Sequence, residues 1–316
     1  MKREINYSII IPHKNIPRLL QRCLSSIPRR KDVQIIVVDD NSAPDKVDFK
    51  QFPGQDDFFV EVIFTKEGKG AGYARNIGLT KAIGKWLLFA DADDFFNYCI
   101  NDILDEYINS DADIVYFKHN SLDSNTYAPT CRLFDYNIYI NQWISSSIKN
   151  DNLLRYKHAT PWSKLFSRKS IVKNQILFDE VSRNNDVTFS YLAGFYARAI
   201  CVDIRTLYCC TVRQGSIQHK KPNIENKLDA LFVFGKNYRF SRAQGIFAFR
   251  KSHFFRSLAE FLLFDRIHSN KAKNVLARLG FSQTEIKRLC FFALWSYVPF
   301  KIIRKLTFYF KINASK

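Results

Sequence analysis

Trp86-Leu87-Leu88-Phe89-Ala90-Asp91-Ala92-Asp93-Asp94 decides how this chain is read, because an unbroken apolar run leads straight into three carboxylates. A short apolar run bounded by polar residues predicts a buried strand, which puts the acids at its carboxyl end. Asp91 and Asp93, two apart, converge on one hard divalent cation if the chain turns there. Mg²⁺ or Mn²⁺ takes such oxygen ligands, with phosphate completing its shell. A nucleotide diphosphate is the ligand this implies. The same acids would equally cap a helix beginning near Asn101-Asp102-Ile103-Leu104, since Asp is favoured at helix starts.

A second strand carries acids to the same edge. Val33-Gln34-Ile35-Ile36-Val37-Val38 is rich in β-branched residues and ends in Asp39-Asp40-Asn41-Ser42. Ahead of it, Tyr7-Ser8-Ile9-Ile10-Ile11-Pro12 predicts a first strand, and Leu19, Leu20, Cys23, Leu24 and Ile27 give Arg18 to Ile27 helical spacing. Strand, helix, strand is a βαβ unit, whose parallel strands place both carboxyl ends where open α/β sheets bind ligands.

The ordered set Ser8-Ile9-Ile10-Ile11-Pro12, Val37-Val38-Asp39-Asp40-Asn41-Ser42, Gly72-Tyr73-Ala74-Arg75-Asn76-Ile77-Gly78 and Asp91-Ala92-Asp93-Asp94 resembles the family 2 glycosyltransferases of bacterial surface-polysaccharide type. The likeness continues through Pro161-Trp162-Ser163-Lys164-Leu165-Phe166, Asn185-Asp186-Val187-Thr188-Phe189 and Arg213-Gln214-Gly215-Ser216-Ile217. It implies the α/β GT-A fold, a Rossmann-like mixed sheet flanked by helices, and here followed by a C-terminal α-helical region.

Residue by residue, the resemblance places Pro12 and Lys14 beside the nucleotide base, with Asp40 accepting a hydrogen bond from the base edge. The N3–H of uracil or thymine offers that donor, and the N–H groups of guanine keep GDP open. Asp39 would instead bond the backbone of the following turn. Lys66 to Gly72 form a glycine loop ahead of a helix starting near Tyr73, a setting that suits phosphate. There the resemblance turns Arg75 towards the donor's diphosphate or ribose, while Asn76 holds the loop. Composition alone would leave Arg75 solvated. In the aspartate cluster, it implies that Asp91 contacts the ribose, Ala92 lets the backbone come close, and Asp93, with Asp91, holds Mn²⁺ or Mg²⁺. Asp94 is left between supporting the ligands and capping a helix.

Asp186 occupies the position of the catalytic base, and Asn185 stands where the family usually carries Glu. An apolar pocket raises a carboxyl pKa and helps it accept a proton near neutral pH, and Phe178, Phe189 and Tyr191 are candidates to form one. Alternatively, Asp186 caps the helix from Val187 to Phe195. The implied chemistry is inversion by one in-line displacement. Trp162 and Lys164 border donor and acceptor in such a fold, with core packing the alternative for Trp162. Arg213 and Ser216 are candidates to meet phosphate or acceptor, and His219 is a possible further metal ligand.

With 316 residues and 47% hydrophobic content, the chain can bury a full core. Seven scattered cysteines without Cys-x-x-Cys spacing exclude a zinc ribbon and argue against a disulfide framework, so a reducing, cytoplasmic setting is expected. The apolar stretch near the start is too short for a signal peptide. The expected organisation is a catalytic domain over 1–220 and a basic, aromatic-rich helical region over 221–316. Most of the formal net charge of +18 falls in that second region. Its final stretch interleaves Phe291, Phe292, Trp295, Phe300, Phe308 and Phe310 with Lys301, Arg304, Lys305 and Lys311. Pro299 interrupts an apolar run already short of the ~20 residues needed to cross a bilayer. A helix lying against anionic lipid at the inner face of the cell membrane is expected, with solvated cations and packed aromatics the alternative.

A basic, aromatic chain also suits nucleic acid, but no zinc-finger or RNP-like motif is present, and a nucleic-acid binder needs no clustered carboxylates at strand ends. No nucleic-acid partner is expected. A sugar-phosphate nucleotidyltransferase would want a glycine-rich loop at the first strand, where Pro12-His13-Lys14-Asn15 stands instead. The expected function is metal-dependent, inverting transfer of a sugar from a nucleotide-diphosphate donor, UDP-sugar favoured, to a saccharide or lipid-linked saccharide. The alternative is a basic nucleic-acid- or nucleotide-sugar-binding protein with weak or no catalysis, and Asn185 raises the nucleotide-sugar reading.

Overall fold

The computed structural model describes residues 4–213, 215, 221–246 and 251–297. The chain forms two compact units, Met1–Lys221 and Pro222–Lys316. The first contains Tyr7–His13 (β1), Pro17–Ser25 (α1), Val33–Asp40 (β2), Val60–Thr65 (β3), Ala71–Lys81 (α2), Trp86–Phe89 (β4), Phe95–Phe96 (β5) and Ile100–Tyr107 (α3). Ile114–Asp123 (β6), Asp135–Ser145 (α4), Asn152–Lys157 (α5), Lys164–Ser167 (β7), Arg168–Lys173 (α6), Val187–Tyr196 (α7) and Ile200–Val212 (β8) complete it.

The strands form one eight-stranded mixed sheet in the order β3-β2-β1-β4-β7-β6-β8-β5. The β3, β2, β1 and β4 strands run parallel, and β7 pairs antiparallel with both β4 and β6. Every residue of β1 and β4 is buried, as parallel strands covered on both faces require. Their side chains alternate between two cores. Ile9, Ile11, Val37, Trp86 and Leu88 join Leu20 and Leu24 of α1, whereas Ile10, Ile36, Val38, Leu87 and Phe89 join Ala74 of α2. The two crossover helices thus cover opposite faces, and the carboxyl ends of β1, β2 and β4 open together at the switch point between them.

Helix α2 begins at Ala71, two residues before the sequence expectation, because Gly70 takes φ 97° as its N-cap. A β-carbon on Gly72 would lie 2.1 Å from the Asp179 carbonyl oxygen. That close approach lets the start of α2 rest on the segment leading to Asp186, and it explains a glycine in the first turn of a helix.

The second unit holds Ile224–Ala243 (α8), Lys251–Phe264 (α9) and Ser269–Arg278 (α10), and residues 283–297 are also helical. Asn223 and Asn226 cap α8 reciprocally. Leu231, Phe254, Leu258, Phe261, Leu276, Leu289 and Ala293 build a separate apolar core. Among the described residues, no helix is long and apolar enough to cross a membrane.

Replacing Gly72 by Ala forces α2 and the Asp179 segment apart. A loss of about 1–3 kcal/mol is expected, the usual range for overpacking. A lower guanidinium midpoint at unchanged slope shows it, and an unchanged midpoint refutes the close-approach account.

Candidate active site

Two consecutive aspartates at the end of β2 do different work. Asp39 accepts from the His13 ring at 2.7 Å, from the Ser42 amide at 2.8 Å and from the Ser42 hydroxyl at 2.5 Å. The Ile16 amide donates to Nε2 of His13, which leaves the ring's Nδ1–H for Asp39. Burial works to raise the Asp39 acid, but these bonds outweigh it and hold the acid below the usual carboxylate range. Asp39 therefore fastens the two strand ends, in keeping with its expected bond to the following turn. Asp40 accepts from the Gly70 amide at 2.9 Å and from Lys14 at 3.2 Å, both through Oδ2. Its Oδ1 is buried and has no hydrogen-bond partner among the described residues. A buried carboxylate oxygen left unpaired is costly, and it stands ready to accept from a ligand's N–H. Pro12 is buried near the end of β1, in register with Val38 of β2, and Lys14 is exposed.

The acidic turn after β4 is pinned by β8. Asp94, 1% exposed, accepts from the Tyr208 hydroxyl at 3.0 Å and the Thr211 amide at 2.6 Å. The same hydroxyl receives the Asp91 amide at 2.9 Å. Burial, then the charges of Asp93 and Asp91, push the Asp94 acid well above its ordinary range. The N-cap of α3 is Cys99, so Asp94 supports the turn and does not cap that helix. Around the turn, the Asp93 carbonyl receives Arg22 at 2.5 Å and the Thr211 hydroxyl at 2.6 Å, and Ala92 is 3% exposed. Asp91 and Asp93 are left facing outwards, each tied through one oxygen to an arginine. Arg75 reaches Asp91 at 2.5 Å, and Arg213 reaches Asp93 at 2.8 Å.

Arg75 is 5% exposed, so it is not a solvated surface cation. Its guanidinium lies 5.3 Å from the Phe178 ring centre and donates to Asp91 on one side and to Asn185 Oδ1, at 2.8 Å, on the other. One arginine thereby joins the acidic turn to the segment carrying Asp186. Asn76 bonds the Phe178 backbone in both directions and so holds that segment against α2. Asp186 occupies the N-cap position of α7 but makes no side-chain capping bond. Burial raises its pKa, the Arg75 charge opposes this, and the Asp91 charge adds to it. Phe178, Phe189 and Tyr191 are all buried.

Trp162 and Lys164 do not join this group. Trp162 is 2% exposed and stacks on Tyr208 with ring centres 5.2 Å apart, so its face is already covered by protein. Lys164 is equally buried and donates to the His158 and Thr160 carbonyls at 2.7 Å each. The expected sugar-facing roles are corrected accordingly: both side chains brace the wall from within. Ser216 and His219 lie outside the described residues. Sequence reading did not find Tyr208, Thr211 or Arg22 as supports, because an apolar strand and an amphipathic helix carry no local signal of a partner roughly a hundred residues away.

Among the described residues, Asp91 and Asp93 each retain a second oxygen with no hydrogen-bond partner, two hard donors that suit Mg²⁺ or Mn²⁺. Among the described residues no third His, Cys, Asp or Glu completes a cluster. The two carboxylates fit a cation whose shell phosphate and water would help to complete.

Three comparisons bear on this geometry. The glycosyl transferase family 2 profile matches residues 8–173. The uncharacterized glycosyltransferase EpsJ of Bacillus subtilis is 27% identical over 179 residues, 55% of this chain and 51% of EpsJ, so the match spans about half of that relative. Glycosyltransferase GlyG of Streptococcus pneumoniae is 25% identical over 240 residues, 72% of this chain and 78% of GlyG. Among solved structures, S. aureus TarS 1-349 in complex with UDP-GlcNAc superposes with a TM-score of 0.60 at 17% identity, covering 93% of this chain and 92% of that one, a likeness of fold. With β2, the acidic turn and all of β1 but its first residue inside the match, which covers more than half of the sequence, the chain belongs to glycosyl transferase family 2.

Proposed function

We propose that this protein is a metal-dependent, inverting glycosyltransferase that moves a sugar from a nucleotide diphosphate, UDP-sugar favoured, to a saccharide or lipid-linked saccharide in surface-polysaccharide assembly. The observation that carries this reading is Arg75, whose guanidinium bonds both Asp91 and Asn185. It draws the carboxylates suited to a diphosphate-bound cation and the carboxylate suited to a base into one site. The unpaired Asp40 oxygen favours a base that offers an N–H at its edge, as uracil does. The TarS structure's UDP-GlcNAc agrees with a uridine donor.

In the proposed reaction, Asp186 takes the proton of the acceptor hydroxyl as that oxygen attacks the anomeric carbon, and the bond from that carbon to the diphosphate breaks on the opposite side. A divalent cation on Asp91 and Asp93 would neutralise charge developing on the departing nucleoside diphosphate. Arg75 keeps Asp91 in place and sets a positive charge near Asp186. Asp40, Lys14 and Pro12 hold the base, and the Gly70 amide fixes the Asp40 carboxylate for that task.

For location, we propose a peripheral position on an anionic membrane surface. In the 283–297 helix, Leu289 and Ala293 face the unit's core while Phe291, Phe292 and Trp295 are exposed, an amphipathic division that suits the headgroup layer. The remainder of the basic, aromatic stretch, 298–316, lies outside the described residues.

Calorimetric titration of UDP, GDP and dTDP with Mn²⁺ tests the base pocket. UDP should bind and Asp40→Ala should weaken it roughly 10- to 100-fold, as expected for losing a hydrogen bond to a charged group. Equal binding of all three by both proteins rejects the Asp40 assignment. Asp186→Asn should lower turnover by about 10²–10⁴-fold with donor affinity kept, and parallel loss of both points to a structural role. Because the Asp186 acid is raised, the base is protonated sooner as pH falls. The acid limb of kcat/KM in the wild type should therefore lie above the ordinary carboxylate range. A limb at or below that range contradicts the assignment. Phe291→Ser with Trp295→Ser should reduce co-sedimentation with anionic vesicles, and undiminished co-sedimentation removes the membrane reading.

A further inference from the structure

Asp91 and Asp93, the carboxylates suited to a divalent cation, are both engaged by arginines, and the two arginines come from different elements. Arg75 belongs to α2 and Arg213 follows β8. The Asp93 pair is partly open, with side chains 26% and 22% exposed, so Arg213 is free to leave without breaking the core. Arg75 differs: its own side chain is 6% exposed, beside an Asp91 that is 30% exposed, and it is shared with Asn185, so Arg75 stays. Asn185 is neutral and removes none of the Arg75 charge.

We infer that Arg213 is an exchangeable counter-ion: it occupies Asp93 in the nucleotide-free protein and turns to the diphosphate when cation and nucleotide bind together. This rests on the metal site proposed above. Two carboxylates and two arginines are neutral as a group. A divalent cation arriving alone displaces Arg213 from Asp93 and leaves two positive charges in excess among closely spaced groups, which is unfavourable. The two negative charges of a nucleotide-sugar diphosphate remove that excess and give the displaced guanidinium a partner of the geometry it prefers. Cation and nucleotide therefore bind cooperatively, and neither binds well by itself. Arg213 acts through Asp93 and the diphosphate, and is a positioning residue.

Binding of Mn²⁺, followed through the electron paramagnetic resonance of the free ion, tests this without turnover. In the wild type, UDP should tighten Mn²⁺ about 5- to 100-fold, the usual span of coupling between sites. Arg213→Gln should tighten Mn²⁺ alone by about two- to fivefold, the scale of a partly exposed ion pair, and shrink the coupling to UDP. Arg198→Gln is the control. Arg198 is a surface arginine whose side chain is 86% exposed, and its ion-pair partner is Asp113, at 3.9 Å. It should leave Mn²⁺ affinity unchanged. If Arg213→Gln does not tighten Mn²⁺, or if both variants tighten it equally, the exchange is refuted while the metal site stands. If Mn²⁺ binds to no protein even with UDP, the metal site itself is refuted.

Discussion

The burial of Asp94 between the acidic turn and β8 is the constraint on which the rest of the site depends. A carboxyl group taken out of water beside two other acids is expensive, and only hydrogen bonds from fixed donors make it tolerable. The Tyr208 hydroxyl and the Thr211 amide supply them. Because that hydroxyl also receives the Asp91 amide, one side chain orients the whole turn. With Asp94 drawn inward, Asp91 and Asp93 are left facing out. Three acids close together in sequence thereby acquire different roles from their surroundings alone.

Helix α2 is the second organiser. Its first turn rests on the Asp179 carbonyl, Asn76 binds the Phe178 backbone, and Arg75 spans from Asp91 to Asn185. The donor edge and the proposed base are thus positioned by the same rigid element, which limits their relative movement. A site that must align an acceptor hydroxyl, an anomeric carbon and a departing diphosphate gains from such rigidity, since small misplacements cost rate steeply.

The parallel strands were legible because their apolar runs are continuous, and the ends of β1, β2 and β4 followed from right-handed crossovers. The distinction between Asp39 and Asp40 was half visible: both end the same strand, but only the fold shows that Asp39 is saturated by His13 and Ser42 while Asp40 keeps an oxygen free. Asp186 taken alone read better as a helix cap, and the fold shows that its side chain makes no capping bond. For Trp162 and Lys164 the expectation failed in the other direction. The aromatic and the lysine that the resemblance set beside donor and acceptor are interior braces, because what a side chain faces depends on strands that pair with it from elsewhere.

By itself, then, the sequence determined the strand order of the first βαβ unit, the acidic residues at the strand ends, the membership of glycosyl transferase family 2 and the helical, basic character of the C-terminal region. Each of these rests on local periodicity or on motifs within a few residues of one another. Tertiary structure alone decided which oxygen of which carboxylate is free, that Arg75 joins Asp91 to Asn185, and that Arg213 sits on Asp93. Those facts depend on groups 16 to 120 residues apart meeting within hydrogen-bond distance, and pairings at that separation leave no trace in local pattern.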